Sequence, residues 1–147
     1  MAEILEHQTL EINRLVSYRG LIAESDIENV KVMIEQRLKS LQVKRTTGYI
    51  TAIYAMYRDK RDVEILAGID GEITELENLT YKPVFKLVNA VVAKNKGNKK
   101  EDLKETWGKL SQYVGEKELQ PTSVAYYIPN SDGTEVDIYM GISQNIL

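Results

Sequence analysis

A match of the chain to itself at an offset of 73 residues constrains its fold more than any other feature. VEILAGI at residues 63–69 falls on VDIYMGI at residues 136–142, and without a gap the same offset places Ser25 on Asn98, Glu28 on Glu101 and Tyr54 on Tyr127. Between residues 25 and 70, ten of 46 aligned pairs are identical, where ordinary composition gives about three by chance. The two stretches therefore read as copies of one unit.

Each copy has the same internal order. In the first, Ser25 and Glu28 form an S-x-x-E capping pattern ahead of Ile27, Val30, Ile34, Leu38 and Leu41, which recur at helical spacing. In the second, Asn98 and Glu101 precede Leu103, Trp107, Leu110 and Val114. A β-rich stretch precedes each helix, at residues 12–19 and 84–94, and two strands joined by a polar turn follow it. The second of these turns contains Asp132 and Gly133, a strong hairpin signal. Residues 71–82 read as a connector. The expectation is an α+β single domain: a tandem βαββ duplication over about 10–70 and 83–143, with an antiparallel sheet of up to eight strands. It would carry two main helices and a pseudo-twofold axis, with a cleft where the copies meet.

Composition narrows the chemistry. The 147 residues contain no cysteine and one histidine, His7, in a stretch that reads as a frayed terminus. Thiol catalysis, thiolate metal sites and histidine triads are thereby set aside, and no catalytic residue, metal or cofactor is expected. A formal charge of −3 gives no bulk attraction to nucleic acid or membrane. The opening residues lack the pattern of a secretory signal, and no apolar run is long enough to span a bilayer, so a cytoplasmic location without membrane insertion is expected. Lys94, Lys96, Lys99 and Lys100 around Gly97 read as a solvated basic loop. Nine tyrosines against one Phe and one Trp form a skewed aromatic set suited to partly wet pockets and interfaces.

The candidate site follows from strand alternation. Val136, Ile138, Met140 and Ile142 share one face, as Val63, Ile65, Ala67 and Ile69 do, and these faces belong to the core. Opposite them stand Asp137, Tyr139 and Gly141 in one copy, and Glu64, Leu66 and Gly68 in the other. Glycine inside a strand suggests room for a ligand or a crossing backbone. An acid in such a place would hold a cation or act as a proton donor.

The second copy also carries a family resemblance. Gly97, Trp107, Leu119 with Pro121, Tyr126 with Tyr127, and Asp137 resemble the later half of the gyrase-inhibitor-like (GyrI-like) effector-binding domains. That family includes ligand-binding modules attached to multidrug-responsive transcription regulators. The resemblance implies a tandem βαββ fold whose cleft binds apolar, often cationic, molecules against a carboxylate with help from aromatic rings. Asp137 stands where the family usually has Glu, and Gly97-Asn98 replaces its frequent Gly-Pro.

The function expected from the sequence is a non-enzymatic, stand-alone binding module holding a small apolar or cationic ligand. Asp137 and Glu64 would be its charge partners, with Tyr54, Tyr127, Tyr139 and Trp107 as walls. The alternative is a protein adaptor or chaperone-like accessory factor of a bacterial toxin-secretion system, with a protein client on the tyrosine-rich surface. A small hydrolase using Glu64 or Asp137 has less support, because acid–base work needs two groups of unlike pKa within reach of one substrate.

Overall fold

A computed structural model describes residues 3–74 and 78–143. Six strands and two helices follow one another as β1 (Glu3–Ile22), α1 (Ile27–Ser40), β2 (Ile50–Met56), β3 (Arg61–Gly68), β4 (Thr80–Lys94), α2 (Lys100–Glu116), β5 (Pro121–Pro129) and β6 (Val136–Ile142). The order βαββ occurs twice, so the fold is α+β. β3 pairs with β1 and β2, β6 pairs with β4 and β5, and all four ladders are antiparallel. Each copy supplies three strands, which gives six where the sequence set a ceiling of eight. The chain divides into two compact units, one of Ile12–Phe85 and the other of Met1–Glu11 with Lys86–Leu147.

In the unit of residues 12–85, Val63, Ile65, Ala67 and Ile69 meet Ile34 and Leu38 of α1, together with Val16 and Leu79. In the other unit, Ile138, Met140 and Ile142 meet Leu110 and Val114 of α2, with Val91, Ala93 and Ala125. The period of two along each last strand and the period of 3.6 along each helix thus meet as two apolar layers. Fully burying one Leu or Ile side chain contributes roughly 1.5–3 kcal/mol, and each layer contains several.

Three local expectations are corrected. β1 begins at Glu3, which places His7 within a strand and not in a frayed end; left-handed residues at His7 (φ 59°) and Arg14 (φ 62°) interrupt its extended run. β4 begins at Thr80 and runs through Pro83, so it takes in residues 80–82, which read as the end of the connector. Neither capping pattern forms. α1 is preceded by a short 3-10 turn (Glu24–Asp26) and α2 starts after Lys99, and no side chain caps either N-cap position. Asn98 instead donates to the Gly133 carbonyl at 2.9 Å, across to the β5–β6 turn.

The repeat is real, but its register is not uniform. Both helices end in the same way: Gln42 and Glu118 are left-handed (φ 59° and 55°), and the amides of Val43 and Leu119 each donate 3.0 Å back to Leu38 and Val114. This places Leu38 with Val114 and Ile34 with Leu110, an offset of 76. Ile34 therefore does not correspond to Trp107, as the ungapped match implied. The following strands keep that offset, since Ile50 pairs with Leu66 where Tyr126 pairs with Tyr139. Only the last strands sit at 73. The difference of three residues is taken up in the first hairpin, where β2 carries a bulge between Ile53 and Ala55. An extra residue in one strand bends it and re-aims its side chain. Here that residue is Tyr54.

Candidate functional site

The unit of residues 12–85 contains a buried carboxylate with a complete set of partners. Glu64 stands on β3 opposite Arg19 of β1 and Ala52 of β2, on the face away from α1. It is 5% exposed. Burial of an unpaired carboxylate is costly, so such a group is held by donors or loses its charge. Glu64 has three donors: the Tyr54 hydroxyl reaches Oε1 at 2.7 Å, and the Ser17 hydroxyl and Lys82 Nζ reach Oε2 at 2.5 and 2.8 Å. Burial pushes its pKa up, but the bonds from Lys82, Ser17 and Tyr54 outweigh that and hold the carboxyl below its ordinary value. Glu64 is an anion at neutral pH.

Each partner arrives from a different element. Ser17 lies two residues before Arg19 on the same face of β1, Tyr54 is delivered by the β2 bulge, and Lys82 comes from the first residues of β4. Arg19 closes the outer side. Its guanidinium lies 3.5 Å from the Tyr54 ring centroid and grips Asp62 with two bonds of 2.9 and 3.0 Å. A second clamp holds the segment entering β2 to the helix: Glu35 of α1 accepts from Tyr49 at 2.5 Å and from Arg45 at 2.6 Å.

The other unit contains a shallower counterpart. Asp137 on β6 accepts from Lys94 Nζ at 3.1 Å and from the Asn95 amide at 3.3 Å. Its side chain is 23% exposed. Lys94, expected in a solvated loop, is the last residue of β4 and pairs with this acid. The bond to Asp137 raises its pKa. Tyr139 shares the strand face of Asp137, and burial raises its pKa. Tyr127 and Trp107 do not share that face: both pack against the apolar layer under α2. Tyr127 pairs with Ile138, a core position, because β5 is in the 76-residue register. The structure thus brings Glu64 and Tyr54 together and places Asp137 beside Tyr139, while Tyr127 and Trp107 join a core.

The sequence suggested that Gly68 and Gly141 leave room for a ligand, and here the structure differs. A Cβ at Gly68 would lie 2.6 Å from Thr46 Oγ1 and 2.9 Å from Thr47 Cγ2; at Gly141 it would lie 2.8 Å from Thr122 Oγ1. The space is filled by the chain entering β2 and by the start of β5. In both units the glycine amide donates to a hydroxyl, Thr47 or Ser123, at 2.9 Å. The recurring glycine admits a neighbouring side chain, not a ligand.

Ser17, Arg19 and Lys82 were missed in the sequence. The alternation of β1 placed Ser17 and Arg19 on one face, but no local signal shows which acid they meet. A cavity of about 340 Å³ lies in the unit of residues 1–11 and 86–147, lined by Glu6, His7, Asn89, Val91, Leu119 and Ile142 among others, away from Asp137. Among the described residues no helix is long and apolar enough to cross a membrane, and no group of three or more His, Asp or Glu is arranged to hold a metal.

No family model and no curated protein matches the chain. Solved structures do. A crystal structure of the EcmrR C-terminal domain is similar with a TM-score of 0.71 and 18% identity, covering 98% of both chains. The fold is shared with the EcmrR C-terminal domain. A chain in the cryo-EM structure of the EcmrR–DNA complex in EcmrR-RPo is similar at a TM-score of 0.73 and 17% identity over 98% of this chain, which spans 57% of that chain's length. An uncharacterized conserved protein from Listeria innocua is similar at a TM-score of 0.60 and 8% identity, covering 97% of this chain and 92% of the other. At such identities the likeness concerns fold and leaves function to the site.

Proposed function

We propose that this chain is a small-molecule effector-binding module of the GyrI-like type, holding an apolar or cationic ligand against Glu64. The observation that carries this reading is a carboxylate kept ionised while 5% exposed, next to an aromatic ring. A fold alone does not need a buried charge: an apolar residue of similar volume is often as stabilising or more so. A charge retained there has a use in recognition, and an anion beside a ring recognises a cation. The resemblance of the second copy to GyrI-like domains supports the same assignment, as does the similarity to the C-terminal domain of EcmrR, a protein that forms a complex with DNA. Of the two acids, Glu64 is the better charge partner because it is more deeply buried than Asp137, and Coulomb attraction is less screened there. Tyr54 is its aromatic neighbour. Asp137 and Tyr139 form a second, weaker position in the other unit.

The test uses 4-tert-butylbenzylammonium, an apolar cation, in titration calorimetry with the full chain. Glu64→Gln keeps the size and one acceptor oxygen but removes the charge. It should weaken binding at least about tenfold, equivalent to about 1.4 kcal/mol. Equal affinity in the variant, or no binding to the wild-type chain, overturns the assignment of Glu64.

A further inference from the structure

The cation position at Glu64 is already taken, and by the protein itself. Lys82 Nζ lies 2.8 Å from Glu64 Oε2, and the one ring beside that carboxylate in the hydrogen-bonded set, Tyr54, has a guanidinium 3.5 Å from its centroid. An arriving cation therefore meets a carboxylate and a ring that both have a cation on them.

The two resident cations are not held alike. Arg19 makes two bonds to Asp62 and stacks on Tyr54, three simultaneous contacts in a fixed planar arrangement. Lys82 makes one bond, to Glu64, at the end of a flexible side chain that is 38% exposed. Its ammonium reaches water by rotation of its own side chain, with no strand moved. Glu64 keeps Ser17 and Tyr54 as donors when Lys82 leaves. Arg19 is thus a permanent wall, and Lys82 is a movable plug.

We infer that Lys82 is a built-in competitor that occupies the carboxylate in the empty protein and is exchanged for the ligand's cationic group. This rests on the reading of Glu64 as the ligand's charge partner and adds how the site is regulated and what it selects. A ligand entering by exchange replaces one ammonium on Glu64 by another, so the buried carboxylate is never left without a counter-ion. A neutral molecule has nothing to offer Glu64 in return for Lys82, so the carboxylate that the plug vacates selects ligands with a compact cationic head. It also sets a threshold concentration, because apparent affinity falls in proportion to the fraction of protein in which the site is open.

The experiment compares 4-tert-butylbenzylammonium with its neutral counterpart 4-tert-butylbenzyl alcohol on the wild-type chain, Lys82→Met and Glu64→Gln. Methionine keeps the apolar stem and removes the plug. The expected result is that Lys82→Met binds the ammonium at least about tenfold more tightly than wild type, as for a site open in a tenth of molecules or fewer, and that the alcohol, which brings Glu64 no charge, binds that variant at least about tenfold more weakly than the ammonium does. An ammonium affinity that is unchanged or lower in Lys82→Met overturns the exchange. If Glu64→Gln still weakens the ammonium in that case, the reading of Glu64 survives without the plug. If wild type and Glu64→Gln bind alike, both fail. A measurement without the Lys82 variant keeps the test independent of its folding: on titration of the wild-type chain with the ammonium, the Lys82 side-chain NMR signals should move to the positions of a solvated lysine. Binding that leaves them in place also overturns the inference.

Discussion

Replacing Glu64 with alanine should lower the unfolding free energy of the full chain by about 2–4 kcal/mol in urea titration at neutral pH, with the midpoint shifting and the slope unchanged. The loss has three sources. The Ser17 hydroxyl, in a residue 4% exposed, is left without its acceptor, and an unsatisfied buried polar group costs roughly 1–3 kcal/mol. Tyr54 loses the bond that holds its ring under Arg19. The space of the side chain is emptied as well. Breaking a fully buried ion pair costs roughly 3–5 kcal/mol, but Lys82 is partly exposed and recovers hydration, which keeps the total below the top of that range. Glu64→Gln, which preserves volume and an acceptor, should cost less than half as much. A loss under about 1 kcal/mol for alanine would show that the network adds little to the fold.

The same carboxylate fixes the sign of a pH dependence. Its folded pKa is depressed below the ordinary 4.5 by Lys82, Ser17 and Tyr54 acting against burial. A group depressed in the folded state binds more protons when unfolded, so its contribution is fully present above the unfolded value and is lost as pH falls through the folded one. Stability should therefore decline below about pH 4.5 more steeply in wild type than in Glu64→Gln, whose amide does not titrate.

How much of this was legible in the sequence depends on how far apart the interacting residues lie along the chain. Alternation within VEILAGI and VDIYMGI identified the faces that pack under α1 and α2, because a strand's two faces follow from its own spacing. It also singled out Glu64 and Asp137 as the residues opposite those faces. What Glu64 meets was out of reach: Ser17 is 47 positions away, and Lys82 is 18 positions away, in a stretch that read as a connector. Pairing across strands is set by register, and one bulged residue changes it. That is why Tyr54 and Tyr127, aligned and identical in the sequence, end on different faces: β2 and β5 correspond at an offset of 76, so Tyr54, two residues after Ala52, lies on the face of Glu64, while Tyr127 stands opposite Ile138. The glycines were misread for a related reason. The sequence shows that a side chain is missing at Gly68, but not that Thr46 and Thr47 occupy the place it would take.

Gly68→Ala gives that last point its test and should be among the most damaging single-methyl additions in the chain. The new Cβ would lie 2.6 Å from Thr46 Oγ1 and 2.9 Å from Thr47 Cγ2, closer than any ordinary contact. The strand cannot retreat freely, since the Gly68 amide donates to Thr47 Oγ1 at 2.9 Å and its carbonyl accepts from the Thr46 amide at 2.8 Å. Overpacking a fixed site of this kind costs roughly 1–3 kcal/mol. The two threonines allow the cause to be isolated. Thr46→Ala removes the nearer atom, and Thr47→Ser removes the methyl while keeping the hydroxyl that Gly68 needs, so the triple variant should recover most of the loss. Residues in direct contact give such non-additive cycles, with coupling of roughly 0.5–3 kcal/mol. If alanine at 68 is tolerated within about 0.5 kcal/mol, or if the threonine changes merely add to its cost, close approach is not why a glycine stands there. The reading of Gly68 as leaving room for a ligand would then return.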